Sequence, residues 1–165
     1  MPELQLLRAS HGPAVLAFEL ENRAYFAESI SDRGDAFYDG FTERLGSVLA
    51  EQAAGTSAFY VYADEDGGIL GRFNLYDIKD GTANLGYRVA QDAAGRGVAT
   101  AAARVLCGLA ATLYGLHELT AATSRENVAS QKVLTKVGFV PIGPADPAEI
   151  GGKQGTLYRL DLTAE

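Results

Sequence analysis

The segment Ala94-Gly95-Arg96-Gly97-Val98-Ala99-Thr100 carries the clearest chemical signal in the chain. It lies between an extended run that ends at Val89 and a helical run, so the chain must turn there from strand to helix. The first N–H groups of a helix lack partners within it, and the helix dipole adds about half a positive charge at that end. Glycines let a phosphate approach this backbone closely. The segment predicts an anion site, although two glycines that only form a tight turn explain the same pattern.

Two common nucleotide-binding patterns are excluded by single residues. A Walker loop needs Gly-Lys followed by Ser or Thr, whereas Gly152-Lys153 is followed by Gln154. A Rossmann fingerprint needs Gly or Ala at the position of Thr100. The anion site is therefore expected in a fold other than these two.

Asn127 and Ser130 form a second polar pair at the start of another helical run. They stand one turn apart, so both side chains can share a face of the helix. An asparagine at a helix start also serves as a cap, and a serine there can bond a neighbouring carbonyl. On spacing alone, a functional pair and a structural cap both remain open.

Hydrophobic spacing and turn residues predict the elements that position these segments. Predicted strands are Leu4–Ala9, Ala58–Ala63, Ile69–Asp77, Thr82–Val89, Leu119–Thr123, Phe139–Ile142 and Thr156–Leu162. Predicted helices run from Ser10 to Phe26, Asp35 to Ala54, Arg96 to Tyr114 (with Val98, Val105, Leu109 and Leu113 on one stripe) and Asn127 to Val137. This order predicts an α+β fold whose sheet has parallel character near its middle. The long connection Gly143–Gly155 is expected to be a functional flap.

Composition bounds the class of protein. The 165 residues, 47% of them hydrophobic, fit one domain spanning residues 1–165. A net charge of -7 without a Lys/Arg cluster argues against nucleic acid as a partner and mildly favours a cationic substrate. Cys107 is the only cysteine, so neither an intrachain disulfide nor a cysteine metal cluster is expected.

The chain is expected to work in the cytoplasm and away from membranes. The start MPELQLLR lacks the apolar core of a signal peptide. The longest apolar stretch, Val98–Leu116, is interrupted by Arg104 and has helical spacing, so it predicts a buried helix. The single cysteine also fits a reducing compartment. His11 and His117 stand next to turns, where surface or capping roles are expected.

The glycine segment resembles motif A of the GNAT N-acetyltransferases, Gln/Arg-x-x-Gly-x-Gly/Ala at the start of a helix that cradles the CoA pyrophosphate. The match is Ala94-x-x-Gly97-x-Ala99, with Ala94 in place of Gln or Arg. Asn127-Val-Ala-Ser130-Gln-Lys-Val-Leu-Thr-Lys136-Val-Gly138-Phe139 resembles motif B of the same family. Together the two motifs cover about Thr82 to Phe139, and Glu21-Asn22-Arg23 is similar to the ribosomal-protein N-terminal acetyltransferase branch.

The resemblance implies a central twisted sheet of about seven strands, antiparallel with a splayed parallel pair in the middle and flanked by helices. It implies that acetyl-CoA is bound, without a metal, by Val89, Gly95, Arg96, Gly97, Val98, Ala99, Thr100, Asn127, Ser130 and Lys136. The Val89 backbone N–H would stabilise the oxyanion, and Ser130 would protonate the leaving thiolate because Leu134 replaces the usual motif B tyrosine.

The acceptor amine is expected to contact Glu21, Asn22, Tyr25 and Tyr87. Conceivable general bases are Glu21, Tyr25, Tyr76, Asp77, Tyr87, Glu126 and Glu149, and deprotonation through water is a further route. The implied activity is direct transfer of an acetyl group to a peptide N-terminus or a small amine, by a monomer or homodimer. The alternative is an acyl-CoA-binding sensor without catalysis, which the changes at Ala94 and Leu134 motivate.

Overall fold

Seven strands form one sheet in the computed structural model, which describes residues 1–28 and 32–163. The strands are β1 (Glu3–Leu6), β2 (Ala58–Ala63), β3 (Ile69–Lys79), β4 (Thr82–Val89), β5 (Glu118–Ser124), β6 (Val140–Pro144) and β7 (Gly155–Asp161). Their order is β1-β2-β3-β4-β5-β7-β6, and every neighbouring pair is antiparallel except β4 and β5. The predicted α+β fold, with a parallel pair near the middle of the sheet, is confirmed.

The parallel pair separates soon after it forms. The pairing of β4 with β5 ends at Asn84 and Thr120, whereas β4 continues along β3 as far as Val89. The Ala90 N–H donates to the Leu70 carbonyl over 2.8 Å. Because N–H directions alternate along a strand, the Val89 N–H points away from β3, into the gap that opens toward β5.

Helices cover both faces of this sheet. They are α1 (Gly12–Glu21), α2 (Arg23–Ala27), α3 (Asp35–Asp39), α4 (Phe41–Ala53), α5 (Val98–Thr112) and α6 (Val128–Val137). The four N-terminal helices share one core with Phe59 and Val61 of β2. α5 and α6 share the other core with Ala58 and Tyr60 of the same strand. Since successive strand residues face opposite sides, the two cores lie on opposite faces of the sheet.

Two predicted helices are each broken in two. Asn22 interrupts the first: its side-chain amide donates to the Phe18 carbonyl over 2.9 Å, and its Oδ1 accepts from the Gln91 N–H over 2.9 Å. Gly40 interrupts the second, where it ends α3 and precedes α4. The breaks divide two predicted helices into four shorter ones on one face of the sheet. Hydrophobic spacing alone did not predict these breaks.

The buried face of α5 also differs from the predicted stripe. Val105 and Leu113 are 50% and 65% exposed, whereas Ala102, Ala103 and Leu106 are fully buried. The small side chains of Ala102 and Ala103 allow the helix backbone to lie close to the sheet, and Val105 and Leu113 point outward. Of the described residues, none belongs to a helix that has both the length and the apolar character to span a bilayer.

Candidate active site

A cavity of about 520 Å³ lies at the start of α5. Gly95 and Gly97 have φ values of +76° and +75°, and a Cβ on either would meet nothing within 4 Å. The glycines are therefore needed for a left-handed backbone, and the space in front of them is open. The Ala101 N–H donates to the Gly97 carbonyl over 3.0 Å as the first bond of the helix. The N–H groups of residues 98–100 precede it and have no carbonyl one turn back, as an anion cradle requires.

Most residues with a predicted role toward CoA line this cavity. They are Val89, Gly95, Gly97, Val98, Ala99, Thr100, Asn127, Ser130 and Lys136. Arg96 is exposed and lies outside the lining of the cavity. Lys132 also lines the cavity and had no predicted role. It stands one turn before Lys136 on α6, and this lysine pair at helical spacing was a signal available in the sequence.

Asn127 and Ser130 combine structural and site positions. The Asn127 side chain accepts a hydrogen bond from the Ser130 N–H over 3.1 Å, so Asn127 caps α6, which stabilises a helix by about 1 kcal/mol. The Ser130 hydroxyl lies 3.0 Å from the Tyr87 hydroxyl, across the gap between β4 and β5. The cap therefore fixes the helix turn that carries the Ser130 hydroxyl.

Tyr87 joins two cavities. Its ring stacks on Phe73 with centroids 5.5 Å apart, and the residue lines both this cavity and a second one. Burial raises the pKa of Tyr87 to about 12, despite an opposing effect of the hydrogen bond to Ser130. The phenol is therefore protonated at neutral pH and available as a donor. Arg88, the next residue on β4, also lines both cavities.

The second cavity, about 790 Å³, lies between the sheet and α3–α4. Its floor includes Arg72, Asn74 and Tyr76, which alternate along one face of β3. Asn74 is 8% exposed, and its Nδ2 donates to the Tyr76 hydroxyl over 2.8 Å. Its Oδ1 is buried without a hydrogen-bond partner among the residues that the structure describes. Because an unpartnered buried acceptor is costly, this atom marks a place for a donor from a ligand.

Glu19 of α1 is fully buried on the same side of the sheet as this cavity. Its two carboxylate oxygens accept hydrogen bonds from Arg72 Nη1 and Arg88 Nη1 over 2.9 Å and 2.7 Å. Hydrophobic spacing alone did not reveal this buried carboxylate and its two arginines. Glu19 follows Val15 by one turn and precedes Asn22 by one, so it stands on the apolar stripe of α1, and a carboxylate there is a signal of a buried ion pair.

The predicted acceptor contacts are only partly brought together. Glu21 is exposed, whereas Asn22 is buried and its Oδ1 accepts from the Gln91 N–H in the loop before Gly95. Neither residue lines either cavity. Tyr25 lines the CoA-side cavity. Glu126 instead pairs with Lys153 over 3.2 Å. The conceivable bases that line the second cavity are Tyr76, Asp77, Tyr87 and Glu149.

The connection before β7 is anchored to the sheet. Ile150 is 8% exposed, and the Arg125 N–H donates to the Gln154 carbonyl over 2.9 Å. A Cβ on Gly155 would lie 2.1 Å from the Thr123 carbonyl oxygen, so this end of the connection packs directly on β5. Glu149 is the part of the connection that reaches the second cavity.

Cysteine and histidine take structural positions. Burial raises the pKa of the Cys107 thiol to about 12, so it is not a thiolate at neutral pH. Burial, with a smaller effect of Arg8, lowers the pKa of His11, whose ring accepts from the Arg8 N–H over 3.0 Å. Within residues 1–28 and 32–163, no three His, Cys, Asp or Glu side chains are grouped to hold a metal ion.

A splayed parallel pair beside an open helix N-terminus, in a seven-stranded sheet, defines an acyl-CoA N-acyltransferase fold. Residues 4–140 match the family model described as an acetyltransferase (GNAT) domain. The chain belongs to the GNAT acetyltransferase family and is an acyltransferase.

Individual relatives agree with this assignment. A probable N-acetyltransferase of Bacillus subtilis, YjcK, is 28% identical over 131 residues, or 75% of this chain and 72% of the relative. The ribosomal-protein-S5-alanine acetyltransferase of Vibrio fischeri superposes with a TM-score of 0.89 at 23% identity, covering 97% of this chain and 92% of its own. RimJ of Mycobacterium smegmatis, in complex with a CoA disulfide, superposes with a TM-score of 0.84 at 22% identity over 96% and 80%. At these sequence identities, the two superpositions establish a shared fold alone.

Proposed function

We propose that this protein transfers an acetyl group from acetyl-CoA to a primary amine, directly and within a ternary complex. The observation that carries this proposal is the meeting of two cavities at Tyr87, whose hydroxyl lies beside that of Ser130. One cavity has an open helix N-terminus suited to a pyrophosphate. The other has a buried oxygen, Asn74 Oδ1, that can accept a hydrogen bond. A thioester at the junction would therefore face an amine held by the second cavity.

Binding of CoA is assigned to backbone groups at the start of α5 and to side chains of α6. The N–H groups from Gly95 to Thr100 would hold the pyrophosphate, which makes the loss of the motif A side chain at Ala94 tolerable. Lys132 and Lys136, one turn apart, would add positive charge beside the phosphates. The CoA-bound RimJ relative supports this cosubstrate.

The transfer step needs an attacking amine, a donor to the oxyanion, a proton donor for the leaving thiolate and a proton acceptor for the amine. The amine nitrogen attacks the thioester carbon, the Val89 N–H stabilises the oxyanion, and the C–S bond breaks to leave a thiolate. Ser130 donates a proton to that thiolate and takes one from the Tyr87 hydroxyl, 3.0 Å away, and Tyr87 regains its proton from solvent. The proton that the amine loses passes to water or to one of the cavity-lining bases, among which Asp77 and Glu149 are carboxylates.

Ser130→Ala is expected to lower kcat about 100-fold while the Kd of acetyl-CoA changes little, because the hydroxyl acts only on the leaving thiolate. Release of CoA thiol against a panel of amines, including peptide N-termini, measures the rate, and calorimetry measures the Kd. Tyr87→Phe keeps the ring on Phe73 and should reduce kcat less, because Ser130 remains. An equal loss of affinity and rate in Ser130→Ala would make Ser130 a binding residue.

The competing proposal is an acyl-CoA sensor without turnover. Ala94 and Leu134, which replace a motif A side chain and the motif B tyrosine, favour it. Acetyl-CoA that raises the Tm, with no amine giving turnover above hydrolysis, would support the sensor against the transferase.

A cytoplasmic location and a monomeric or homodimeric state remain part of the proposal, as does the choice between a peptide N-terminus and a small amine.

Asn74→Leu, a substitution of similar shape, is expected to raise the KM for the amine about tenfold and to leave the Kd of acetyl-CoA unchanged. The reason is that Asn74 Oδ1 would accept a hydrogen bond from the incoming amine. Steady-state kinetics with the amine varied at saturating acetyl-CoA measures this. An unchanged KM for every accepted amine would remove Asn74 from acceptor binding.

A further inference from the structure

We propose that the acceptor amine also carries an anionic group, a carboxylate or a phosphate, which binds at a cluster formed by Arg33, Arg72 and Arg88 in the second cavity. This inference rests on the proposed function and specifies its substrate class. It differs from the expectation, drawn from the net charge, of a cationic substrate, because the local charge of the cavity is what the acceptor meets.

The arginine cluster has more positive charge than its own carboxylate can balance. Arg72 and Arg88 share Glu19, whose side chain is fully buried, while their own side chains are 12% and 14% exposed. Arg33 lines the same cavity as Arg72 and Arg88, and burial and the charge of Arg88 lower its pKa, with a smaller lowering by Arg72 that the charge of Glu19 opposes. Two guanidinium groups therefore share a single carboxylate while a third lines the same cavity, and an added anion would relieve their repulsion.

Other carboxylates near Arg33 are already engaged. Asp32 and Asp35, its neighbours along the chain, bind Arg23 Nη2 over 2.8 Å and 2.9 Å. No carboxylate within residues 1–28 and 32–163 forms an ion pair with Arg33. Its guanidinium lies 4.6 Å from the centre of the Phe37 ring, which holds it at the mouth of the cavity.

Unused donors point to the chemistry of the ligand. A guanidinium has five N–H donors, and Arg72 and Arg88 each give one nitrogen to Glu19. Among the described residues, no further acceptor lies within hydrogen-bond distance of either group. Planar arrays of N–H donors match the paired oxygens of carboxylates and phosphates.

The opposite end of the cavity fits the amine. Along one face of β3 the order is Arg72, Asn74, Tyr76, so the backbone position of Asn74, which carries the unpartnered oxygen, lies about 7 Å from that of Arg72. Asp77 lines the cavity beyond Tyr76 and receives a hydrogen bond from Asn84 over 3.3 Å. The cavity is thus cationic at one end and acidic at the other, which suits a molecule that carries both an amine and an anion.

The test compares amines that differ in the anion alone. The pairs are serine and serinamide, the peptides Ser-Asp-Ala and Ser-Asn-Ala, and O-phosphoethanolamine and ethanolamine. With acetyl-CoA saturating, the anionic member of at least one pair is expected to have a kcat/KM about tenfold higher or more. The pair that shows this effect distinguishes an α-carboxylate, an acidic side chain and a phosphate as the source.

Arg33→Gln separates recognition of the anion from general damage. It is expected to remove the preference by lowering kcat/KM for the anionic member about tenfold, with the neutral member unchanged. Arg33→Lys, which keeps the charge, should restore part of the preference. Arg159→Gln is the matched control, because this arginine lies on β7 outside both cavities.

Equal kcat/KM within every pair, or an equal loss for both members in Arg33→Gln, would overturn the inference. If no amine is acetylated, calorimetric titration of the CoA-saturated protein with the same pairs decides. Tighter binding of an anionic member would support the arginine cluster while counting against acetyl transfer. Binding without preference, or no binding by any member, would overturn the cluster's role.

Discussion

Gly97→Glu is expected to weaken acetyl-CoA binding about 100-fold or more, equivalent to about 2.7 kcal/mol. A carboxylate at this position would enter the open space in front of the first N–H groups of α5 and repel the pyrophosphate. A side chain at a φ of +75° adds strain of about 1–2 kcal/mol. Calorimetric titration with acetyl-CoA and with CoA measures the loss.

Two variants separate charge from backbone strain in this experiment. Gly97→Ala adds the strain without the charge, so its loss of affinity should be clearly smaller. Gly67→Glu is the matched control: Gly67 has a φ of +85°, open space around its Cβ, and a position in the turn between β2 and β3. Retained affinity in a folded Gly97→Glu protein would refute the assignment of the loop to the pyrophosphate.

Glu19→Gln is expected to lower the free energy of unfolding by about 3 kcal/mol, because it leaves Arg72 and Arg88 without the charge that balances them. For a chain of this length, that corresponds to a Tm about 6 to 12 °C lower. Thermal and urea denaturation of the protein without CoA measure the change.

Glu21→Gln is the control for this substitution. It makes the same chemical change two residues later on α1, at an exposed position, and should alter stability by less than about 0.5 kcal/mol. If Glu19→Gln proved as stable as Glu21→Gln, the buried carboxylate would contribute no net stabilisation. The arginines would then need another partner in the folded protein.

The sequence was sufficient for the parts of the fold that depend on local patterns. Strand-like runs bounded by turn residues predicted Ala58–Ala63 and Thr82–Val89 at the bounds that the structure has, and the glycines around Arg96 predicted the strand-to-helix turn. The small residues of α5 misled the analysis, because the larger Val105 is exposed while Ala102 is buried. Close packing against a sheet, which depends on the tertiary structure, decided that helix face.

The candidate site was predictable where function depends on backbone and less so where it depends on packing. Residues from Gly95 to Thr100 stand together because they are consecutive. Glu19, Arg72 and Arg88 come from three separate elements, and only the fold brings their side chains into contact. Asn22 illustrates the same limit, since only the fold shows that its side chain accepts a hydrogen bond from the Gln91 N–H.

The two cavities have largely separate walls. The roof of the larger one belongs to α3 and α4, whereas the smaller one is bounded by the start of α5 and by α6. Tyr87 and Arg88, on one strand, are the residues that line both. Under the proposed function, substitutions in α3 and α4 would exchange one acceptor for another while the affinity for CoA is preserved. Changes in a single stretch of about twenty residues would then give this chain new substrates.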